Sequence, residues 1–204
     1  MRSRALSKAH ILPILSFAGT LLVCLISSAS AKIADPTKSS HEASLVGDSS
    51  GKPVGDGYRA TVRDISNLPL PGCIVSVIFA NGTARPCSEQ ESGTTVDCTR
   101  ESIWRITDGN GSVVFYHRVA GFDNSGIVEV RANGVLLGRT LVRSTDLDGN
   151  GTTDIRDLNQ FRQRFLFDHL APETDFDENG LTNSFDLNRL REEILLRARA
   201  MPCP

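Results

Sequence analysis

The chain has no excess of positive charge, no CxxC cysteine pair and few large aromatic rings, and each shortage narrows what it can be. Lys and Arg number 22 against 24 Asp and Glu, a formal charge of −2, which leaves no basic footprint for nucleic acid. Without a CxxC pair, and with the histidines lying apart from the cysteines, the ligand spacing of a zinc site is missing. One Trp (Trp104) and two Tyr (Tyr58, Tyr116) give few rings on which a sugar could stack. No nucleophile elbow, phosphate-cradling glycine loop or His-Glu-x-x-His helix occurs. His41, His117 and His169 have no partner of the kind that acid–base chemistry needs. The expectation is a protein that is not an enzyme.

The amino terminus is expected to be a leader rather than part of the fold. Arg2, Arg4 and Lys8 precede a mostly apolar run over 11–26, and Ala29-Ser30-Ala31 fits the small-x-small cleavage pattern. The run contains Pro13, Ser16 and Gly19 and is short for a spanning helix. Residues 1–31 are therefore expected to be a signal peptide, and the mature chain to be secreted. Export places Cys73, Cys87, Cys98 and Cys203 in an oxidising compartment, where disulfides form. Cys87 and Cys98 bracket a short polar stretch, so a local bridge between them is the first expectation. The partners of Cys73 and Cys203 stay open.

Residues 32–53 are rich in Ser, Gly and Lys, carry no sustained apolar period, and read as a flexible linker. Over 54–143 short strands alternate with turn residues. Cys73, Val75, Val77 and Phe79 share one face of a strand, and Trp104 is expected in the core beside Ile106. Asn133-Gly134 between two apolar runs is a strong hairpin signal. Tyr58-Arg59-Ala60-Thr61-Val62-Arg63-Asp64, Pro71-Gly72-Cys73-Ile74-Val75-Ser76-Val77 and the turn Thr107-Asp108-Gly109-Asn110-Gly111 resemble bacterial immunoglobulin-like repeats. That resemblance implies a β-sandwich.

The alternation stops near Ser144. From there to the end twelve acidic residues face seven basic ones, a balance that suits a cation ligand. Two stretches, 146–157 and 175–186, repeat the order of ligands that wraps calcium. The first offers Asp146, Asp148, Asn150, the carbonyl of Thr152, Asp154 and Asp157, with Gly151 at the sharp turn. The second offers Asp175, Asp177, Asn179, the carbonyl of Leu181, Asn183 and Asp186, with Gly180 at the turn. Position 175 follows 146 by 29 residues, and two complete loops at a fixed offset are hard to obtain by chance. By contrast, Asp108-Gly109-Asn110-Gly111 has no ligand pattern after it and reads as a plain turn. Four carboxylates in the first loop against three in the second predict tighter binding at the first.

Leu158, Phe161, Phe165 and Leu166 follow the first loop at helical spacing, and Leu187, Leu190, Ile194 and Leu195 follow the second. These stripes are expected to bury against each other. No entering helix has room before Asp146, and each loop closes with Asp. A duplicated loop–helix unit of this kind, over 144–199, resembles the dockerin module. The fold class expected is thus an all-β immunoglobulin-like sandwich followed by a small all-α dockerin-like double EF-hand-type module over 144–200.

The dockerin resemblance implies two calcium ions and docking onto a cohesin-like domain of a secreted, polysaccharide-degrading assembly. Its contact positions map here to Ile155, Arg156, Arg162 and Gln163, and to Ser184, Phe185, Arg191 and Glu192. Ile155-Arg156 and Ser184-Phe185 depart from the Ser-Thr-like pairs common in cellulosomal members. The alternative is a carbohydrate-binding sandwich carrying a calcium-stabilised structural clip at its C-terminus.

Overall fold

The strands form where apolar residues alternate. In the computed structural model, which describes residues 32–47, 57–80, 82–196 and 201–204, they are followed by two helices. In chain order they are β1 (Ser40–His41), β2 (Ser44–Gly47), β3 (Tyr58–Thr61), β4 (Ile74–Ile78), β5 (Arg85–Pro86) and β6 (Thr95–Asp97). Then come β7 (Ser102–Ile106), β8 (Ser112–Phe115), β9 (Val119–Ala120), β10 (Asp123–Ala132), β11 (Val135–Ser144), α1 (Ile155–Phe167) and α2 (Ser184–Leu196). The expected leader, 1–31, lies outside the described residues.

The largest sheet has six strands in the order β2-β11-β10-β4-β7-β6; β1-β3-β8 and β5-β9 form two smaller ones. Asn133 and Gly134, both at positive φ, turn β10 into β11. Val75, Val77 and Phe79 are fully buried among Tyr58, Phe115, Ile103, Val128 and Val130. Ile103 rather than Trp104 is the core residue of β7; Trp104 is half-buried and Ile106 exposed on the other face. His117 is buried, and that burial pushes its pKa down to about 4, so it is neutral within the fold.

Three expectations are corrected. First, the chain is not an immunoglobulin-like sandwich followed by a separate all-α module. It is mostly β, and its two helices share a core with the sheet: Leu147, Phe161, Phe176 and Leu190 are packed against by Val46 and Phe122. The physical reason is the narrowness of the helical stripes. Phe165, Leu166 and Leu195 are exposed, so the buried part of each stripe is too small to close a core alone. Leu147 and Phe176, from the second position of each loop, together with Val46 of β2 and Phe122 just before β10, complete it. Arg164 Nε lies 2.9 Å from Glu173, which also accepts from Asn124 Nδ2 at 2.8 Å, so a polar chain joins α1 to β10.

Second, the stretch expected as a flexible linker contributes β1 and β2, and 48–53 lies outside the described residues. β2 pairs in parallel with β11, with Leu45 opposite Val142. The burial of Leu45 among the core residues holds this short strand in place despite its polar neighbourhood.

Third, Cys98 is bonded to Cys203, not to Cys87. The C-terminal tail runs beside 86–88: Cys203 N donates to Pro86 O at 2.8 Å and Ser88 N to Met201 O at 2.8 Å. That pairing delivers Cys203 to Cys98, while Cys87 is buried beside Ala120. The bond closes a sequence separation of 105 residues. Cys98→Ser or Cys203→Ser is predicted to cost about 2–5 kcal/mol of stability in denaturant titration. Non-reducing peptide mapping should recover a Cys98–Cys203 peptide, and a Cys87–Cys98 peptide in its place would contradict the assignment.

Candidate metal centre

The first loop begins just after β11 and the second just after a short 3-10 turn at Pro172–Thr174, and each ends as a helix begins. Gly151 and Gly180, at φ 85° and 88°, take the left-handed conformation that the wrapped chain needs at its sixth position. In the first loop Asp146 accepts from Gly151 N at 2.7 Å and from Asn150 N at 3.1 Å. In the second, Asp175 accepts from Gly180 N and Asn179 N, each at 3.0 Å. The closing residues match as well. Asp157 accepts from Asp148 N at 3.0 Å and Asp154 N at 2.7 Å. Asp186 accepts from Phe176 N at 2.6 Å and Asn183 N at 2.9 Å. A threonine pair spans each loop, Thr145–Thr153 at 3.0 Å and Thr174–Thr182 at 2.6 Å between hydroxyls.

These bonds gather carboxylates. Asp146, Asp148 and Asp157 bring oxygens within 4.8 Å of one another, and so do Asp175, Asp177 and Asp186. Either triad can hold a metal ion. Asp146 and Asp157 are buried, as are Asp175 and Asp186, while Asp148 and Asp177 face solvent. Burial, with the neighbouring charges of Asp157 and Asp148, pushes the Asp146 carboxyl up to about 7. Burial likewise raises Asp157 and Asp186. A cation would relieve both the crowding and the desolvation, so the donors fit one.

Asp154, the first loop's fourth carboxylate, is not in its triad. Asp154 caps α1 by accepting from Arg156 N at 2.7 Å, and Asn183 accepts from Phe185 N at 2.7 Å. Asn150 and Asn179 accept from Thr152 N at 2.9 Å and Leu181 N at 3.0 Å, bracing the loops. The carbonyl of Leu181 accepts from Asn183 Nδ2 at 3.1 Å. Of the carboxylates in the loops, three per triad converge, so the charge difference expected from Asp154 is not carried by the triads themselves.

A different asymmetry went unseen in the sequence. Arg143 of β11, nearly buried, donates from Nη1 to the carbonyl of Asp175 at 2.8 Å. The same nitrogen lies 3.7 Å from Asp175 Oδ2 and 3.7 Å from Glu178 Oε1. Glu178, at φ 60°, occupies the position that Gly149 fills in the first loop, and it accepts from Ser44 Oγ of β2. The only sequence signal was a basic residue ending a strand just before the first loop. The first loop instead meets the sheet through main chain, Gly121 N donating to Asp146 O at 2.9 Å.

The positions expected to contact a partner, Ile155, Arg156, Arg162, Gln163, Ser184, Phe185, Arg191 and Glu192, are all exposed on α1 and α2. Ile155 and Phe185 are 58% and 70% accessible. Comparison with protein-family models, curated proteins and solved structures finds no match.

Asp146 sets a pH dependence. Its carboxyl titrates near 7 in the metal-free fold against an ordinary 3.8. The folded state therefore binds more protons between those values, and stability falls as pH rises through them. His117, lowered from 6.5 to about 4, contributes the opposite slope. It is common to wild type and Asp146→Asn, so their difference reports the aspartate together with the carboxylates beside it. In chelator, the wild type is predicted to lose stability relative to Asp146→Asn from about pH 4 to 7, at roughly 1.4 kcal/mol per unit of pKa shift. Parallel pH curves in urea titrations would contradict this.

Proposed function

We propose that the chain is a secreted, non-catalytic calcium-binding protein whose paired loops take one ion each and whose helices dock another secreted protein. The observation that carries the reading is the repetition of one cradle: a buried first Asp, an exposed third-position Asp and a buried closing Asp, twice. Oxygen-only donors on a short wrapping loop suit a hard cation, and calcium tolerates the irregular geometry of such a loop better than magnesium does. Filling the loops would fix the N-termini of α1 and α2 and so the faces that carry Ile155, Arg156, Arg162, Gln163, Ser184, Phe185, Arg191 and Glu192. A cohesin-like domain of an extracellular polysaccharide-degrading assembly is the partner that the dockerin resemblance suggests. The disulfide Cys98–Cys203 agrees with an oxidising compartment.

One observation favours the alternative, in which the sheet binds carbohydrate and the calcium loops are a structural clip. Trp104 stands half-exposed on the outer face of the six-stranded sheet, opposite Ser76 and Thr95. Retention on polysaccharide that is lost in Trp104→Ala would support it.

Titration calorimetry of the full chain is predicted to show two calcium ions per molecule. Calcium at about 100 times its dissociation constant should add roughly 2.7 kcal/mol of stability per site. Equal thermal midpoints in chelator and in millimolar calcium would defeat the reading. Docking is tested separately: a calcium-dependent secretome pull-down should lose its partner in Phe185→Ala.

A further inference from the structure

Resting on the calcium reading, we infer that Arg143 is a built-in counter-cation of the second loop, weakening its affinity and making the first loop the tighter site. The first loop serves as an internal control. Its triad, its backbone cradle and its threonine pair have the same form, yet among the described residues no ion pair reaches Asp146, Asp148 or Asp157. Arg143 is therefore not needed to shape such a loop. Its contribution is charge and docking.

The charge falls beside a ligand. Nη1 is 3.7 Å from Asp175 Oδ2, the oxygen that also accepts from Gly180 N. Asp175 and Arg143 are both nearly buried, so solvent screens the guanidinium poorly from an ion in the loop. Nε of Arg143 is buried without a hydrogen-bond partner among the described residues, so no acceptor offsets the charge on that edge of the guanidinium. Glu178 offsets part of this charge, since its Oε1 lies 3.7 Å from the same nitrogen. That carboxylate is exposed to solvent and engaged with Ser44, so the offset is incomplete.

Two consequences follow. The second loop is partly neutralised from the sheet before any ion enters it, while the first is not. A metal in the second loop also acts on the contact between Asp175, Glu178 and the strands β2 and β11.

The test uses the full chain with the first loop disabled by Asp148→Ala, a change at an exposed triad member, and reads calcium binding by calorimetry. In that background Arg143→Met should raise calcium affinity about tenfold or more, and Arg143→Lys should leave it near the parent value. Glu178→Gln, which removes the offset without touching the buried core, should lower affinity severalfold. Circular dichroism confirms folding, and if Arg143→Met fails to fold, the Lys and Gln variants decide. Unchanged or reduced affinity in Arg143→Met, or unchanged affinity in Glu178→Gln, overturns the inference while leaving calcium binding intact. Absence of binding by the wild-type chain would instead sink the calcium reading itself.

Discussion

Carboxylates crowded within 4.8 Å of one another are the constraint on which the C-terminal loops and helices depend. Like charges at that distance repel strongly where solvent is excluded, and the chain counters this with directed N–H groups. The closing aspartates do most. Asp157 binds the loop through Asp148 N and the helix start through Asp154 N, completing a capping box for α1. Asp186 ties Phe176 N and Asn183 N in the same way. Loop closure and helix initiation thus rest on a single short carboxylate in each unit.

Such a unit has little core of its own. Phe161 and Phe176 stack at 6.1 Å between ring centroids, and Leu147 and Leu190 complete a small buried cluster. A fully buried side chain of this size contributes about 1.5–3 kcal/mol, not enough over so few residues to offset the ordering of two helices and two loops. The sheet supplies the remainder through Val46 and Phe122, the Asn124–Glu173–Arg164 chain and the bonded tail at Cys203. β11 runs almost directly into the first loop, so strand and loop are one continuous support.

The two loops are chemically alike and placed differently. The first rests on main chain at Gly121, and Gly149 takes a left-handed φ of 72° that glycine adopts without strain. The second meets side chains, Arg143 and Ser44, and carries Glu178 in a left-handed conformation that costs a non-glycine residue about 1–2 kcal/mol. The partners on the sheet hold that strained residue in place. A duplicated sequence has acquired two environments because a sheet has no matching duplication.

Local chemistry was legible from the residues alone. The loop spacing, the turn glycines, the hairpin at Asn133-Gly134 and the inward face of β4 each depend on contacts within a few residues, and each stands where the pattern placed it. Long-range pairing was not legible. A four-residue stretch such as Ser44–Gly47, in a polar neighbourhood, becomes a strand because β11 offers an edge and the core accepts Leu45. Cys98 meets Cys203 because the tail pairs beside Cys87, and Arg143 reaches Asp175 because the second loop folds back across 32 positions. Spacing along the chain marks two acidic triads that could hold an ion, and packing against the sheet sets buried Arg143 beside one of them, a juxtaposition that no local spacing encodes.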